Sequence, residues 1–160
     1  MLYDRYARAM YNTALRISGH QADAEDILQE SFADAFAQLR SFENKSTFGA
    51  WLKQIVIFKS IALLKKRKFS FTDFEKEAEQ WVEEDTPDET EIAFTVQSIK
   101  KAMNQLPDGY RAVLSLYLLE GYDHEEIAEI MRISHSTVRT QYIRGKQKLL
   151  QMLKNNNVHE

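Results

Sequence analysis

The chain is 160 residues long, 44% hydrophobic and 28% charged, with a formal net charge of −3 and no cysteine. That length suits one domain or two small ones, the missing thiols exclude a disulfide framework and thiol chemistry, and no apolar run reaches the roughly eighteen residues a membrane span needs. No signal peptide is visible either, so a cytoplasmic protein is expected, and the negative balance argues against indiscriminate nucleic-acid binding, which strengthens with each phosphate neutralised.

The first helix is expected from about Leu2 to Ile17, burying Tyr3, Tyr6 or Ala7, Met10, Ala14 and Ile17 before Gly19 ends it. A second runs from Asp23 to Leu39. Its apolar residues Ala24, Ile27, Leu28, Phe32, Ala35, Phe36 and Leu39 make one face at a period near 3.6, and Asp23, Asp26, Gln29, Glu30 and Asp34 make an acidic stripe on the other. Such a stripe is either a solvated face, favoured near a helix N-terminus by the dipole, or a docking surface for a basic partner. After a turn at 40–46, Thr47 is placed to cap a third helix. Phe48, Trp51, Leu52, Ile55, Phe58, Ala62 and Leu63 are expected to bury one side of it, while Lys53, Lys59, Lys65, Lys66, Arg67 and Lys68 leave the other side and the end basic. Cations at a helix C-terminus complement its dipole, but six without an acid, interleaved with Trp and Phe, also suit a phosphate backbone and stacked bases.

Charge sign then switches. Between Asp73 and Glu91 stand ten acids against one Lys, with Thr86-Pro87-Asp88 and no sustained apolar period, which marks an acidic linker over 69–91 between helical domains at 1–68 and 92–160. A helix from Ile92 to Gln105 should stop at Leu106-Pro107, and another is expected over Asp108 to Leu119 with Gly121 as its cap.

Residues 123–150 read as helix, turn, helix. Asp123 and Glu126 have capping-box spacing, Ile127, Ala128 and Met131 face inward, Arg132-Ile133-Ser134 make the turn, and Ser134 caps the last helix. There Val138, Tyr142 or Ile143, and Leu149 bury one side, leaving Ser136, Arg139, Thr140, Arg144, Lys146 and Lys148 outside, with no acid between Arg132 and Lys154. A basic helix so presented fits the major groove of DNA. No strand is expected anywhere, so the fold class is all-α.

Two motif sets stand in order along the chain: Ala24-Glu25-Asp26-Ile27-Leu28-Gln29-Glu30-Ser31-Phe32, Phe42 and Phe48-Gly49-Ala50-Trp51-Leu52-Lys53-Gln54-Ile55 in the first domain; Leu106-Pro107, Arg111-Ala112-Val113-Leu114, Glu120-Gly121-Tyr122, Glu126-Ile127-Ala128 and Ser134 with Thr137-Val138-Arg139 in the second. In this combination nearly the whole chain resembles a sigma-70 family RNA polymerase sigma factor of the extracytoplasmic function (ECF) group. The resemblance implies core RNA polymerase and promoter DNA as partners, and leaves an anti-sigma factor open as a third. It makes Asp23, Glu25, Asp26, Gln29 and Glu30 candidate core-binding residues. Phe42, Asn44, Lys45, Ser46, Trp51, Lys53, Gln54, Lys59, Lys65, Lys66 and Arg67 become candidates for the −10 element. For the −35 element it implies Arg139, Thr140 and Arg144 as base readers, Ser136, Thr137 and Lys148 nearer the phosphates, and Ser134 as a further member of the set. It also implies that the linker threads toward the RNA exit path; Phe69, Phe71, Phe74 and Trp81 are unusual in a purely solvated tether and are expected to pack somewhere in the complex. The chain departs from the family at Phe58, where Asn is usual, at Ala62, where Asp is usual, and at Arg132, where the turn often has Gly.

An enzyme is the first rival reading, but His20, His124, His135 and His159 lack metal-ligand spacing, and neither a Gly-rich phosphate loop nor a nucleophile motif is present; no metal or cofactor is expected. A conventional helix-turn-helix regulator with a sensing or dimerising first domain is the second. It leaves the acidic stripe and the Trp-bearing basic helix without a role.

Overall fold

The computed structural model describes residues 2–42, 46–67 and 95–158, with side chains over 4–42, 46–67 and 95–155. Among the described residues every regular element is helical, and the chain divides into two compact units, Met1–Phe69 and Ser70–Glu160. The linker at 69–91, its aromatics Phe69, Phe71, Phe74 and Trp81, and the start of the helix expected from Ile92 lie outside the described residues, as do Asn44, Lys45 and Lys68.

The first unit is a three-helix bundle in which α1 (Leu2–Ser18), α2 (Gln21–Ala37) and α3 (Phe48–Lys66) each pack on the other two. Gly19, at φ 79°, takes the left-handed conformation that ends α1, its N–H donating to the Leu15 carbonyl at 2.8 Å. Thr47 caps α3, its Oγ1 accepting from the Ala50 N–H at 3.2 Å. The core joins Met10 and Ala14 of α1, Ala24, Ile27, Leu28, Phe32 and Ala35 of α2, and Leu52 and Val56 of α3. Alanine at 14, 24 and 35 lets the helix axes approach, and all three are fully buried.

Two sequence expectations need correcting in this unit. Phe36 and Leu39 were assigned to the buried face of α2, but both are exposed. Phe36 lies about 115° from the centre of the face made by Ala24, Ile27, Leu28 and Ala35 at 3.6 residues per turn, and Leu39 falls past the helix end, in a 3-10 turn over Leu39–Ser41. On α3 the buried residues are Leu52, Val56, Ile57, Ser60, Ile61 and Leu64. Phe58 and Ala62, also assigned to the interior, lie some 150° or more from that face and are exposed.

In the second unit α4 (Val96–Asn104), α5 (Asp108–Leu114) and α6 (His124–Met131) all pack on the long α7 (His135–Val158). Ala102, Met103, Leu106, Leu114, Leu149 and Leu153 form its core. Gly145 sits where α5 and α7 touch: a Cβ there would lie 3.1 Å from Tyr110 and 3.3 Å from Leu114. This close approach accounts for a glycine inside a helix, where it costs about 1 kcal/mol relative to alanine. Arg111 is buried but satisfied, pairing with Asp108 and donating to the Leu106 carbonyl at 2.9 Å.

The single helix expected over 108–119 is interrupted. After Leu114 the backbone widens into a π-turn over Ser115–Leu119, with the Glu120 N–H reaching the Ser115 carbonyl at 3.1 Å, before Gly121 at φ 80°. One residue more per turn rotates the following side chains outward, and Tyr117, Leu118 and Leu119 are exposed.

Candidate functional site

On α2, Glu25, Asp26, Gln29 and Glu30 are exposed and share the outer face. Glu25, Gln29 and Phe36 fall within about 40° of arc at 3.6 residues per turn, so the acidic face runs into an apolar one at Phe36, which is 49% exposed. Phe36 was missed because an apolar residue four positions after buried Phe32 reads as one more core position; a wheel centred on the alanines would have found it. Asp23 is placed differently. Its carboxylate binds the Arg67 guanidinium, whose Nη1 also donates to the Ser18 carbonyl at 2.9 Å. One residue expected on polymerase and one expected on the −10 element thus clasp the end of α1, the start of α2 and the end of α3.

The outward line of α3 carries Trp51, Phe58, Ala62 and Lys65 within about 60° of arc, with Gln54 beside it. Trp51 packs tilted against Phe42 at 5.0 Å between ring centroids and lies 5.9 Å from Phe48, so the aromatic wall next to this line joins the start of α3 to the turn before it. Ser46 and Gln54 are exposed, as are Lys65 and Lys66 at the helix end. Two expected contacts are elsewhere. Lys59 is ion-paired to Asp34 of α2 at 2.6 Å, and Lys53 is half-buried about 160° round the helix from Trp51.

In the second unit, Asp123 and Glu126 close the expected capping box: the Glu126 N–H donates to Asp123 Oδ1 at 2.8 Å and the Asp123 N–H to Glu126 Oε1 at 3.2 Å. Arg132 takes φ 55° and ψ 48°, letting the Ile133 N–H reach back to the Ala128 carbonyl at 3.1 Å. Ser134 Oγ accepts from the Thr137 N–H at 3.1 Å and starts α7. The helix-turn-helix is therefore held by its caps as well as by Ile127, Met131 and Val138, all fully buried.

Ser136 and Arg139 are exposed in the first turns of α7, with Thr140 between Arg139 and a half-buried Arg144. Thr140 Oγ1 donates to the Ser136 carbonyl at 2.9 Å. Thr137, expected near phosphates, is buried instead, its hydroxyl held 2.6 Å from that of the capping Ser134. Lys148 is exposed three turns beyond Ser136, about 18 Å along the axis at 1.5 Å per residue. Among the described residues no group of His, Asp or Glu is arranged to hold a metal ion, and no helix is long and apolar enough to cross a membrane.

With this geometry the comparisons with known proteins agree. Residues 2–70 match the model of sigma-70 region 2, and residues 97–149 match that of sigma-70 region 4. The ECF RNA polymerase sigma factor SigW of Bacillus subtilis is 29% identical over 166 residues, covering 96% of this chain and 87% of that protein. The RNA polymerase sigma factor YlaC of the same organism is 30% identical over 153 residues, covering 92% and 87%. SigE of Mycolicibacterium smegmatis is 29% identical, and the chain spans 58% of its length. In fold, the chain is similar to RpoE of Bartonella quintana, solved in complex with the anti-sigma factor NepR: the TM-score is 0.60 at 24% identity, covering 95% of this chain and 94% of that one. Both units, their order along the chain and the family of its relatives converge, and the chain belongs to the sigma-70 family of RNA polymerase sigma factors, in its ECF group.

Proposed function

We propose that this chain joins core RNA polymerase through the outer face of α2, reads the −35 element of duplex promoters through α7, and holds the opened −10 strand against α3. The supporting observation is that one small bundle presents two faces of opposite character: Glu25, Asp26, Gln29 and Glu30 with Phe36 on α2, and an acid-free line ending in Lys65 and Lys66 on α3. A solvated surface has no need of that segregation, whereas a factor that bridges a basic protein groove and a polyanion does. The division of labour follows the proposed domains, 1–68 on core and the −10 element and 92–160 on the −35 element.

Asp26, Glu25, Gln29 and Glu30 form the core-binding set, with Phe36 added and Asp23 reassigned to holding the bundle. Arg139, Thr140 and Ser136 lead the base and backbone contacts in the major groove, where one bidentate Arg contact discriminates by about 1–3 kcal/mol. Thr137 acts through Ser134, by fixing the turn. The protein is an initiation factor rather than a catalyst. It works in the cytoplasm, where core polymerase does, and an anti-sigma factor of the kind that RpoE meets is part of the same proposal.

Transcription of genomic DNA by purified core with this chain, with the RNA 5′ ends mapped, tests the assignment. Asp26→Lys should reduce initiation at every promoter by weakening association with core. Arg139→Ala should reduce it unevenly, by roughly ten- to a hundred-fold at promoters whose −35 sequence depends on that contact. The reverse pattern contradicts the assignment. Dimeric binding to an operator without core would favour a conventional regulator.

A further inference from the structure

Phe58 is 54% exposed in the middle of α3, a helix whose opposite side is fully buried. Among the described residues of the first unit none covers it, and its helix neighbours leave it open. Ala62, one turn on, is too small to lie over the ring, although residues four apart on a helix are otherwise close enough to touch. Lys59, the adjacent cation, is turned aside to Asp34. Toward the N-terminus the same line reaches Trp51, packed against Phe42, and toward the C-terminus it reaches exposed Lys65.

We propose that Phe58 is a base-stacking residue for the opened −10 strand, so that this stretch of promoter is met on α3 by an aromatic face instead of hydrogen-bonding groups. The proposal rests on the reading of α3 given above. Its occupant is fixed by two properties of the surface taken together. From Lys53 to Arg67 there is no acid, which suits a negatively charged ligand, and the centre of the line is apolar and flat, which suits an exposed ring face. Duplex DNA hides its base faces, and an apolar protein surface gains nothing from the flanking lysines. An unstacked single strand offers both features, since every base has a π-face and every nucleotide a phosphate. Among the described residues of this line the neutral hydrogen-bonding groups are the Gln54 amide and the Trp51 indole N–H, so sequence preference at Phe58 itself should follow stacking strength more than donor and acceptor pattern.

The experiment uses holoenzyme assembled from core and the full chain, at promoters mapped with the unsubstituted protein. Strand opening is read from the fluorescence of 2-aminopurine placed at successive non-template positions of the −10 element, and core association is measured alongside. Phe58→Ala should lower promoter opening on the order of ten-fold while co-migration with core is unchanged, and Phe58→Trp should stay within about two-fold of the parent, as expected for one base–aromatic stack. Phe58→Asn, the residue usual in the family, should redistribute initiation among promoters according to their −10 sequences. Two results overturn the inference: an alanine variant equal to the parent at every promoter, or one that loses core, which would make Phe58 a protein contact. Failure of the unsubstituted chain to direct promoter-specific initiation would remove the function itself, and Phe58 with it.

Discussion

Arg132 shows how one backbone angle can be anticipated from a turn. The three-residue connection between α6 and α7 requires a left-handed residue, and the chain places Arg there at φ 55° where glycine would carry no Cβ strain. Arg132→Gly should therefore stabilise the second unit by about 1 kcal/mol, measured by urea denaturation, while removing one cation from the edge of the face proposed to read duplex. If stability falls instead, the side chain contributes more than its backbone strain costs. The same residue-level reasoning located both caps of the motif, because Asp123, Glu126 and Ser134 act through bonds only two or three positions away.

At the scale of elements, what was legible in the sequence was the helical period and what was not was the phase of each helix. Thr47, Gly19 and Pro107 mark boundaries by local chemistry, and the helices begin or end beside them. Phe58 and Ala62 were misplaced because α3 carries apolar residues nearly all round, so composition gives no phase; Leu52, Val56 and Ile61 had to find their partners on α1 and α2 before the inner side was defined. The π-turn after Leu114 has no sequence marker that periodicity detects. Long-range pairing was equally invisible: Asp23 and Arg67 each looked like surface charges, yet their ion pair, with side chains 33% and 22% exposed, joins residues 44 positions apart. This pair is partly shielded and shares Arg67 with the Ser18 carbonyl, so it should contribute at or above the upper end of the roughly 0.2–1 kcal/mol of an exposed bridge. Arg67→Ala should lower the stability of the first unit by about 1–2 kcal/mol, seen as an earlier thermal transition, and Arg67→Lys should recover only part of it because the ammonium cannot span both acceptors in a fork. A substitution without effect on the transition would return Arg67 to the DNA-facing set.

At the scale of the whole molecule, charge is sorted along the chain more than it is accumulated: the net value is −3, yet the turn and last helix carry no acid from Arg132 to Lys154. The free protein should therefore bind promoter duplex weakly and with a steep salt dependence. About six phosphate contacts would give a log–log slope near −5, and core should raise the affinity by adding contacts of its own. Filter binding across a salt series, with and without core, checks this; tight, salt-insensitive binding by the free chain would contradict it. The clasp at Arg67 bears on the same assembly. Since it fastens the start of α2 to the end of α3, the two faces proposed above for core and for the melted strand are fixed relative to each other within the bundle. On that proposal the cost of setting α2 against α3 is met in folding rather than in docking, as the angle of two jaws is set by a single rivet.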